Sequence, residues 1–216
     1  MKTALIAGST GLVGSELLDL LTNHPEYEKI HVLVRKPVKT TSPKIITHVV
    51  NFDELEKFAP EGPIDHVFCT LGTTIKKAGT KENFRKVDYD YVLKLGEKAK
   101  AWKAEKFLMV TALGANARSS IFYNKVKGEV ENALKDLKLE HLFIFRPSLL
   151  MGNRKEQRPG EKSAIALYKI INPLFIGKLK KYKGVQASQV AQAMLSVALK
   201  NSESFKFIES DEIQKL

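Results

Sequence analysis

One cysteine and one tryptophan stand in a chain of 216 residues, and that scarcity sets the first limits. A lone thiol, Cys69, cannot close an intrachain disulfide, so the fold has to be held by its core. Set in the apolar run Val67-Phe68-Cys69, that thiol reads as packing. No apolar run approaches the roughly 20 residues that span a bilayer. The short run Ala4 to Ala7 ends at Gly8, too soon for the apolar region of a signal peptide, so the cytoplasm is the expected location and no membrane partner is expected. His24, His31, His48, His66 and His141 are scattered without ligand spacing, and no metal is expected. Carboxylates are in deficit, 24 Asp and Glu against 35 Lys and Arg, which leaves a formal charge of +11. Such an excess admits nucleic acid, an acidic surface or an anionic ligand as partner. No helix-turn-helix, zinc-ligand or RNA-binding aromatic signature accompanies it, so nucleic acid is not expected. Lys94, Lys98, Lys100 and Lys103 follow helical spacing, and they and the tighter group Lys178, Lys180, Lys181 and Lys183 read as solvated faces.

What the chain does contain is an alternation of short apolar runs and amphipathic stretches. Residues AVILMFWYC make up 44% and charged residues 27%, the balance of a folded chain. No linker, repeat or low-complexity segment interrupts it, and the length suits one domain over 1–216. Strands are predicted at Thr3 to Ala7, Ile30 to Val34, Ile45 to Val50, His66 to Leu71, Phe107 to Thr111 and Leu142 to Phe145. Between them Val13, Leu17, Leu18 and Leu21 recur at helical spacing. After the N-cap candidate Thr80, so do Phe84, Val87, Tyr91, Leu95, Ala99 and Trp102. A further helix, capped by Ser119 or Ser120, carries Phe122, Val126, Val130, Leu134 and Leu137 inward. The pattern weakens beyond Gly152 and resumes in a helix from about Ser188 to Leu199 and a strand at Phe205 to Ile208. Strands this apolar, separated by helices, predict a parallel sheet covered on both faces.

Gly8-Ser9-Thr10-Gly11-Leu12-Val13-Gly14 joins the first strand to the first helix. Glycines there give a sharp turn, an approach of backbone to a pyrophosphate and tight helix-strand packing, with the phosphates at the helix N-terminus. The fold class this implies is α/β, a Rossmann-type doubly wound parallel sheet with a small C-terminal substrate-side extension at about 152–184. The first gap holds two residues where the dinucleotide fingerprint has one. No lysine followed by Ser or Thr closes the loop, which excludes a P-loop. The second strand ends in Val34-Arg35-Lys36, and no Asp or Glu lies between His31 and Asn51. A carboxylate there favours NAD(H), whereas an arginine accommodates the 2′-phosphate of NADP(H). NADP(H) is therefore the expected cofactor, with Arg35 and Lys36 as phosphate contacts and NAD(H) as the alternative.

Tyr123 and Lys127 lie four apart, on one helical face, in the helix after the fifth strand, where parallel sheets place their ligands. A phenol of ordinary pKa near 10 is a poor acid or base at neutral pH, and a neighbouring ammonium favours its ionised form. Tyr123 is the candidate to give a proton to a carbonyl oxygen as hydride reaches carbon, and Lys127 the candidate to assist it and to bond the nicotinamide ribose.

With these residues the chain resembles the atypical short-chain dehydrogenase/reductase superfamily, and within it the Tat-interacting-protein-like branch. The matching stretches are Gly8 to Gly14, Leu33 to Lys36, Phe68 to Thr74, Val87 to Tyr91, Tyr123 to Glu129 and Arg146-Pro147-Ser148 through Arg158-Pro159-Gly160-Glu161. The resemblance implies that Leu71 and Gly72 run along the cofactor's ribose and pyrophosphate. It implies that Asn51 and Phe52 meet the adenine, Asn51 standing where relatives carry an acidic residue. Pro147, Ser148 and Leu149 are placed beside the nicotinamide, and Arg154 or Arg158 in a basic loop that closes over it. Relatives hold the substrate oxygen with a serine after the fifth strand. Here the sequence reads Thr111-Ala112-Leu113, so Thr111 keeps a hydroxyl if it occupies that place, and Ala112 would leave none. Two functions stay open: an NADP(H)-dependent oxidoreductase on an unidentified carbonyl or alcohol, with Tyr123, Lys127 and Thr111 catalytic, and a cofactor-binding regulator that contacts a protein partner or a second copy of itself.

Overall fold

In a computed structural model of the protein, which describes residues 1–40, 42–152 and 183–216, the strands run in chain order β1 (Lys2–Ala7), β2 (Tyr27–Val34), β3 (Ile45–Val49), β4 (His66–Cys69), β5 (Lys106–Val110), β6 (His141–Arg146), β7 (Leu150–Met151), β8 (Val185–Gln186) and β9 (Phe205–Glu209). Seven of them form one sheet in the order β3-β2-β1-β4-β5-β6-β9, and every neighbouring pair is parallel. The chain builds outward from β1 to β3, returns, and builds the other way from β4. The strand order therefore reverses between β1 and β4, and in such sheets the crevice beyond the carboxyl ends at that point takes the ligand.

Alternation along the strands explains why both faces are apolar. Ala4, Ile6, Val32, Phe68, Leu108, Phe143 and Phe145 lie in one buried layer, with Val13, Leu17 and Leu21 of helix α1 (Leu12–Asn23). Leu5, Ala7, Leu33, Val67, Cys69, Phe107, Met109 and Ile144 lie in the other. Successive side chains of a strand point to opposite faces, so a sheet covered twice needs continuous apolar runs, which is what the sequence shows.

The stretch after Thr80 departs from the predicted single helix. Thr80 does cap it, its Oγ1 accepting the Asn83 N–H at 3.1 Å. Short α2 (Ile75–Ala78) precedes it, and then α3 (Lys81–Arg85) passes through a π turn (Lys86–Asp90) into α4 (Tyr91–Ala101). A π turn holds one extra residue, and it shifts the inward face by one position. Asp88 and Val92 are buried, while Val87 and Tyr91, expected inside, are only partly so. Helix α5 (Phe122–Asp136) starts at N-cap Ile121, not at a serine. Ser119 Oγ instead accepts the Ile121 N–H at 3.1 Å and shapes the turn before the helix. Helix α6 (Ala187–Lys200) completes the α1 side of the sheet, and α7 (Ser210–Ile213) follows β9. Most of the expected substrate-side segment, 153–182, lies outside the described residues; its two ends are joined by the small parallel pair β7-β8, Leu150 to Val185 and Met151 to Gln186.

Candidate functional site

The carboxyl ends of β1, β4 and β5 bring the glycine loop, the Leu71-Gly72 segment and α5 to one edge. Gly8 has φ +95°, a conformation that a side chain makes costly. A Cβ on Gly14 would sit 2.2 Å from the Gly8 carbonyl oxygen and 2.6 Å from Thr70 Oγ1. Its glycine is what lets the helix start against the strand end. Thr70, directly after β4, donates its hydroxyl to the Ala7 carbonyl at 3.1 Å and so fixes the distance between the two sides of the crevice. Gly11 is the N-cap of α1, with no side-chain cap and no acidic residue in the first turn. The first-turn N–H groups of a helix have no partner within it and carry the positive end of its dipole. Bare donors of this kind, behind exposed Thr10 and Gly11, are suited to a pyrophosphate. Ser9, Leu12 and Val13 hold the loop from below, Ser9 and Val13 being buried.

Arg35 and Lys36 follow β2 and are both exposed, on the strand adjacent to β1. Asn51 is exposed, and its Oδ1 accepts the Asp53 N–H at 3.1 Å, capping a 3-10 helix (Phe52–Lys57). Phe52 is only 4% exposed, and its ring lies 5.5 Å from that of Tyr91. The core has taken up the aromatic face, which leaves Asn51 as the open group at this position.

Across the crevice, Lys127 is 4% exposed and Asp88 fully buried, with Lys127 Nζ 2.7 Å from Asp88 Oδ1. The other carboxylate oxygen of Asp88 accepts the Thr73 N–H at 2.8 Å. Exposed Gly72 lies directly above this pair: a Cβ there would be 3.5 Å from Asp88 Oδ1 and 3.8 Å from Lys127 Nζ. Burial opposes the charge on Lys127, but Asp88 and then Tyr123 outweigh it and raise the ammonium above its ordinary value. The Tyr123 ring packs 5.6 Å from that of Phe84, one turn along α5 from the lysine. Sequence reading missed Asp88, because the helical period put Val87 inside. The one available signal was a polar residue within the Val87-to-Tyr91 stretch, which only an inserted residue turns inward.

Thr111 is 5% exposed, and its hydroxyl donates to Glu131 Oε1 at 2.6 Å. Arg146 grips the same carboxylate from β6, Nε to Oε1 at 3.0 Å, and stacks its guanidinium 3.6 Å from the Phe207 ring centroid. A hydroxyl has one proton to give. Here it points to a buried ion pair, so in this structure Thr111 ties the end of β5 to Glu131 and Arg146 and does not face the crevice as the expected substrate donor would. Pro147, Ser148 and Leu149 follow β6 at the same edge: the Pro147 carbonyl accepts the Leu113 N–H at 2.8 Å, and the Ser148 N–H donates to Ser210 Oγ at 2.7 Å. Ser148 also donates its hydroxyl to the Lys183 carbonyl. Arg154 and Arg158 lie outside the described residues. Among the described residues no group of three or more His, Cys, Asp or Glu side chains is arranged to hold a metal ion.

A Rossmann sheet with this loop and this tyrosine-lysine helix defines an atypical short-chain dehydrogenase/reductase. The family model HIM1 matches residues 38–182. The rat protein HTATIP2 is 38% identical over 164 residues, which span 74% of this chain and 67% of that protein. The mitochondrial protein FMP52 of Eremothecium gossypii is 32% identical over 225 residues, 99% of this chain and 96% of the relative. The chain therefore belongs to the HIM1 family, on the Tat-interacting-protein-like branch of the superfamily. Its fold is similar to that of the human epimerase family protein SDR39U1, solved with NADPH, at TM-score 0.64 and 15% identity over 95% of this chain and 72% of that one. The expected cytoplasmic location is overturned by the relatives named mitochondrial, the Eremothecium protein and further fungal ones among them.

Proposed function

We propose that the protein is an NADP(H)-dependent oxidoreductase acting on a carbonyl or alcohol. The observation that supports this reading most is the buried Lys127 ammonium, one turn from Tyr123 and beneath the exposed Gly72 backbone. A lysine so fully removed from water, at the ligand-binding edge of a parallel sheet, has a positioned task. The uncapped start of α1 suits the pyrophosphate, and Arg35 with Lys36 suits the 2′-phosphate. The similar human protein, solved with NADPH, agrees with a nicotinamide cofactor.

A nicotinamide dinucleotide, when bound, supplies or accepts the hydride. The chain's own residues handle the proton and the geometry. Tyr123 gives its phenolic proton to the carbonyl oxygen as the carbon is reduced, and takes it back in the alcohol direction. Lys127 stabilises the phenolate so formed and, with its remaining N–H donors, reaches toward the ribose. Leu71 and Gly72 lay backbone along the cofactor, Asn51 borders the adenine, and Pro147, Ser148 and Leu149 border the nicotinamide.

A second reading, a sensor that binds NADP(H) with little turnover, is favoured by the engagement of Thr111 with Glu131, which leaves Tyr123 as the only assigned donor to a substrate oxygen. Calorimetric titration with NADPH, followed by NADPH oxidation over a panel of aldehydes, ketones and quinones, tests both. Binding with steady turnover supports the enzyme, binding without turnover supports the sensor, and no binding overturns the cofactor assignment.

A further inference from the structure

The buried carboxylate of Asp88 bonds in two directions, and the proposed chemistry uses neither bond. One oxygen meets Lys127 Nζ at 2.7 Å, and the other accepts the Thr73 N–H at 2.8 Å. The first bond reaches the helix that carries Tyr123. The second reaches the segment that leaves β4 through Leu71 and Gly72. Asp88 owes its inward place to the π turn (Lys86–Asp90), a local departure that helices often make at functional sites.

We infer that Asp88 is a positioning residue: its carboxylate keeps Lys127 charged in a buried site and fixes that ammonium at a set place below the Gly72 backbone. The inference rests on the cofactor reading above. Lys127 is surrounded by Asp88 from the π turn, Tyr123 from its own helix and Cys69 from the end of β4. Burial pushes the Cys69 thiol up to about 12, so it stays neutral. Among the described residues, Asp88 is then the full negative charge beside the lysine. An ammonium shut away from water loses its proton unless a counter-charge compensates. The same carboxylate sets the spacing between the lysine and the backbone over it, so one residue governs both charge and distance. A purely structural ion pair would stabilise the fold without tying the lysine's protonation to cofactor affinity.

The test is Asp88→Asn, which keeps the acceptor for Thr73 and removes the charge, with Asp88→Glu as the conservative partner. Lysine labelled with carbon-13 at Cε reports the charge of Lys127 directly, its signal assigned by loss in Lys127→Arg. In the parent the signal stays that of an ammonium through the alkaline range; in Asp88→Asn the ammonium loses its proton at lower pH than in the parent, the midpoint falling below the ordinary lysine value. NADPH affinity, measured by calorimetry from pH 6 to about 9, falls in the variant about ten- to a hundredfold at the alkaline end as the ammonium is lost, and recovers toward acid. Asp88→Glu restores part of it. A Lys127 signal that stays charged throughout in Asp88→Asn overturns the inference, as does an affinity loss equal at every pH. If the parent binds no NADPH, the cofactor reading fails while the lysine titration still decides the inference. Should Asp88→Asn be recovered unfolded, the double variant Asp88→Asn/Lys127→Met decides: folding once both charges are gone supports a charge-bearing role, and failure of the double variant as well overturns it.

Discussion

At the amino edge of the sheet, Tyr27, His66, Glu105, Lys2 and Lys106 are drawn into one closed network; at the carboxyl edge, Tyr123, Lys127 and the glycine loop stand around a crevice. The residue types are nearly the same. Tyr27 and His66 are fully buried, with the phenol oxygen 2.7 Å from His66 Nδ1. Lys2 Nζ donates to Glu105 at 2.8 Å, and Lys106 Nζ to the Ala198 carbonyl at 2.8 Å. The start of β1 is closed in the same way, the Thr3 N–H donating to Asp65 Oδ2 at 2.6 Å. Almost every donor there has found a protein acceptor, whereas the first turn of α1 has no side-chain cap. Ionisable side chains alone therefore do not mark a site. Uncommitted donors at a crevice do.

Breaking the open edge should have the larger consequences. Gly14→Val puts a Cβ where the Gly8 carbonyl lies 2.2 Å away. Backbone on backbone cannot yield, so NADPH binding is lost, and stability falls by about 3 kcal/mol, the upper end for overpacking. Gly11→Val, exposed and with 3.2 Å to the same oxygen, should stay folded with a smaller loss of stability than Gly14→Val and lose binding. If Gly11→Val binds normally, the loop is only a turn. Next in size is Tyr123→Phe, which removes the proton donor and keeps the ring. Turnover should drop about a hundredfold or more while NADPH affinity barely changes, and an unchanged rate on any active substrate excludes the tyrosine mechanism.

Arg35→Ala sharpens the comparison at the level of affinity. Charged hydrogen bonds to a 2′-phosphate are worth about 1.5 to 3 kcal/mol, so preference for NADPH over NADH should shrink by about ten- to a hundredfold. Full preference retained in that variant would remove the assignment. At the closed edge the effects should be smaller and visible in stability alone. Tyr27→Phe, which takes one bond from His66, should cost about 1 kcal/mol and leave cofactor binding untouched.

Acid titration probes the same network. Burial, with Lys2 adding to it, pushes His66 down to about 4; burial and His48 do the same for His31. Between the ordinary histidine value near 6.5 and that value, the unfolded chain binds protons that the folded one refuses, so stability is fully present above about 6.5 and declines as pH falls toward 4. Burial opposes ionisation of Glu105, but the Lys2 hydrogen bond, His66 and Lys106 outweigh it and hold the carboxyl at about 2. Its contribution is present above the ordinary glutamate value and is lost as pH falls toward 2. Chemical unfolding at a series of pH values should show a first decline from about 6.5 to 4 and a further one below. A flat profile through the first window would mean that the histidines take up protons in the folded state.

The strands were legible in the sequence because a strand covered on both sides leaves a continuous apolar run, as at Phe107 to Val110 and Leu142 to Phe145. The glycine loop was legible because Gly8 and Gly14 are required by local geometry that any loop of that kind shares. The role of Thr111 was not, since its partner Glu131 lies 20 residues away and Arg146 on another strand. Only folding brings the three together. The β7-β8 pair was missed for a similar reason, its two-residue strands being joined across a long separation. Asp88 was missed because helical spacing was extrapolated through a turn that does not keep it.

That turn works like a vernier between two scales. Phe84, before it, is seated against the rings of Phe122 and Tyr123; Leu95 and Ala99, after it, are seated in the layer under the sheet. An unbroken α-helix advances about 100° per residue and could bring only one of the two seatings into line. The single extra residue absorbs the mismatch. Removing one residue between Lys86 and Asp90 would thus turn α4 against α3 by about that angle, and either Phe84 or Leu95 would leave its seat. In this stretch the number of residues carries information that their identities do not.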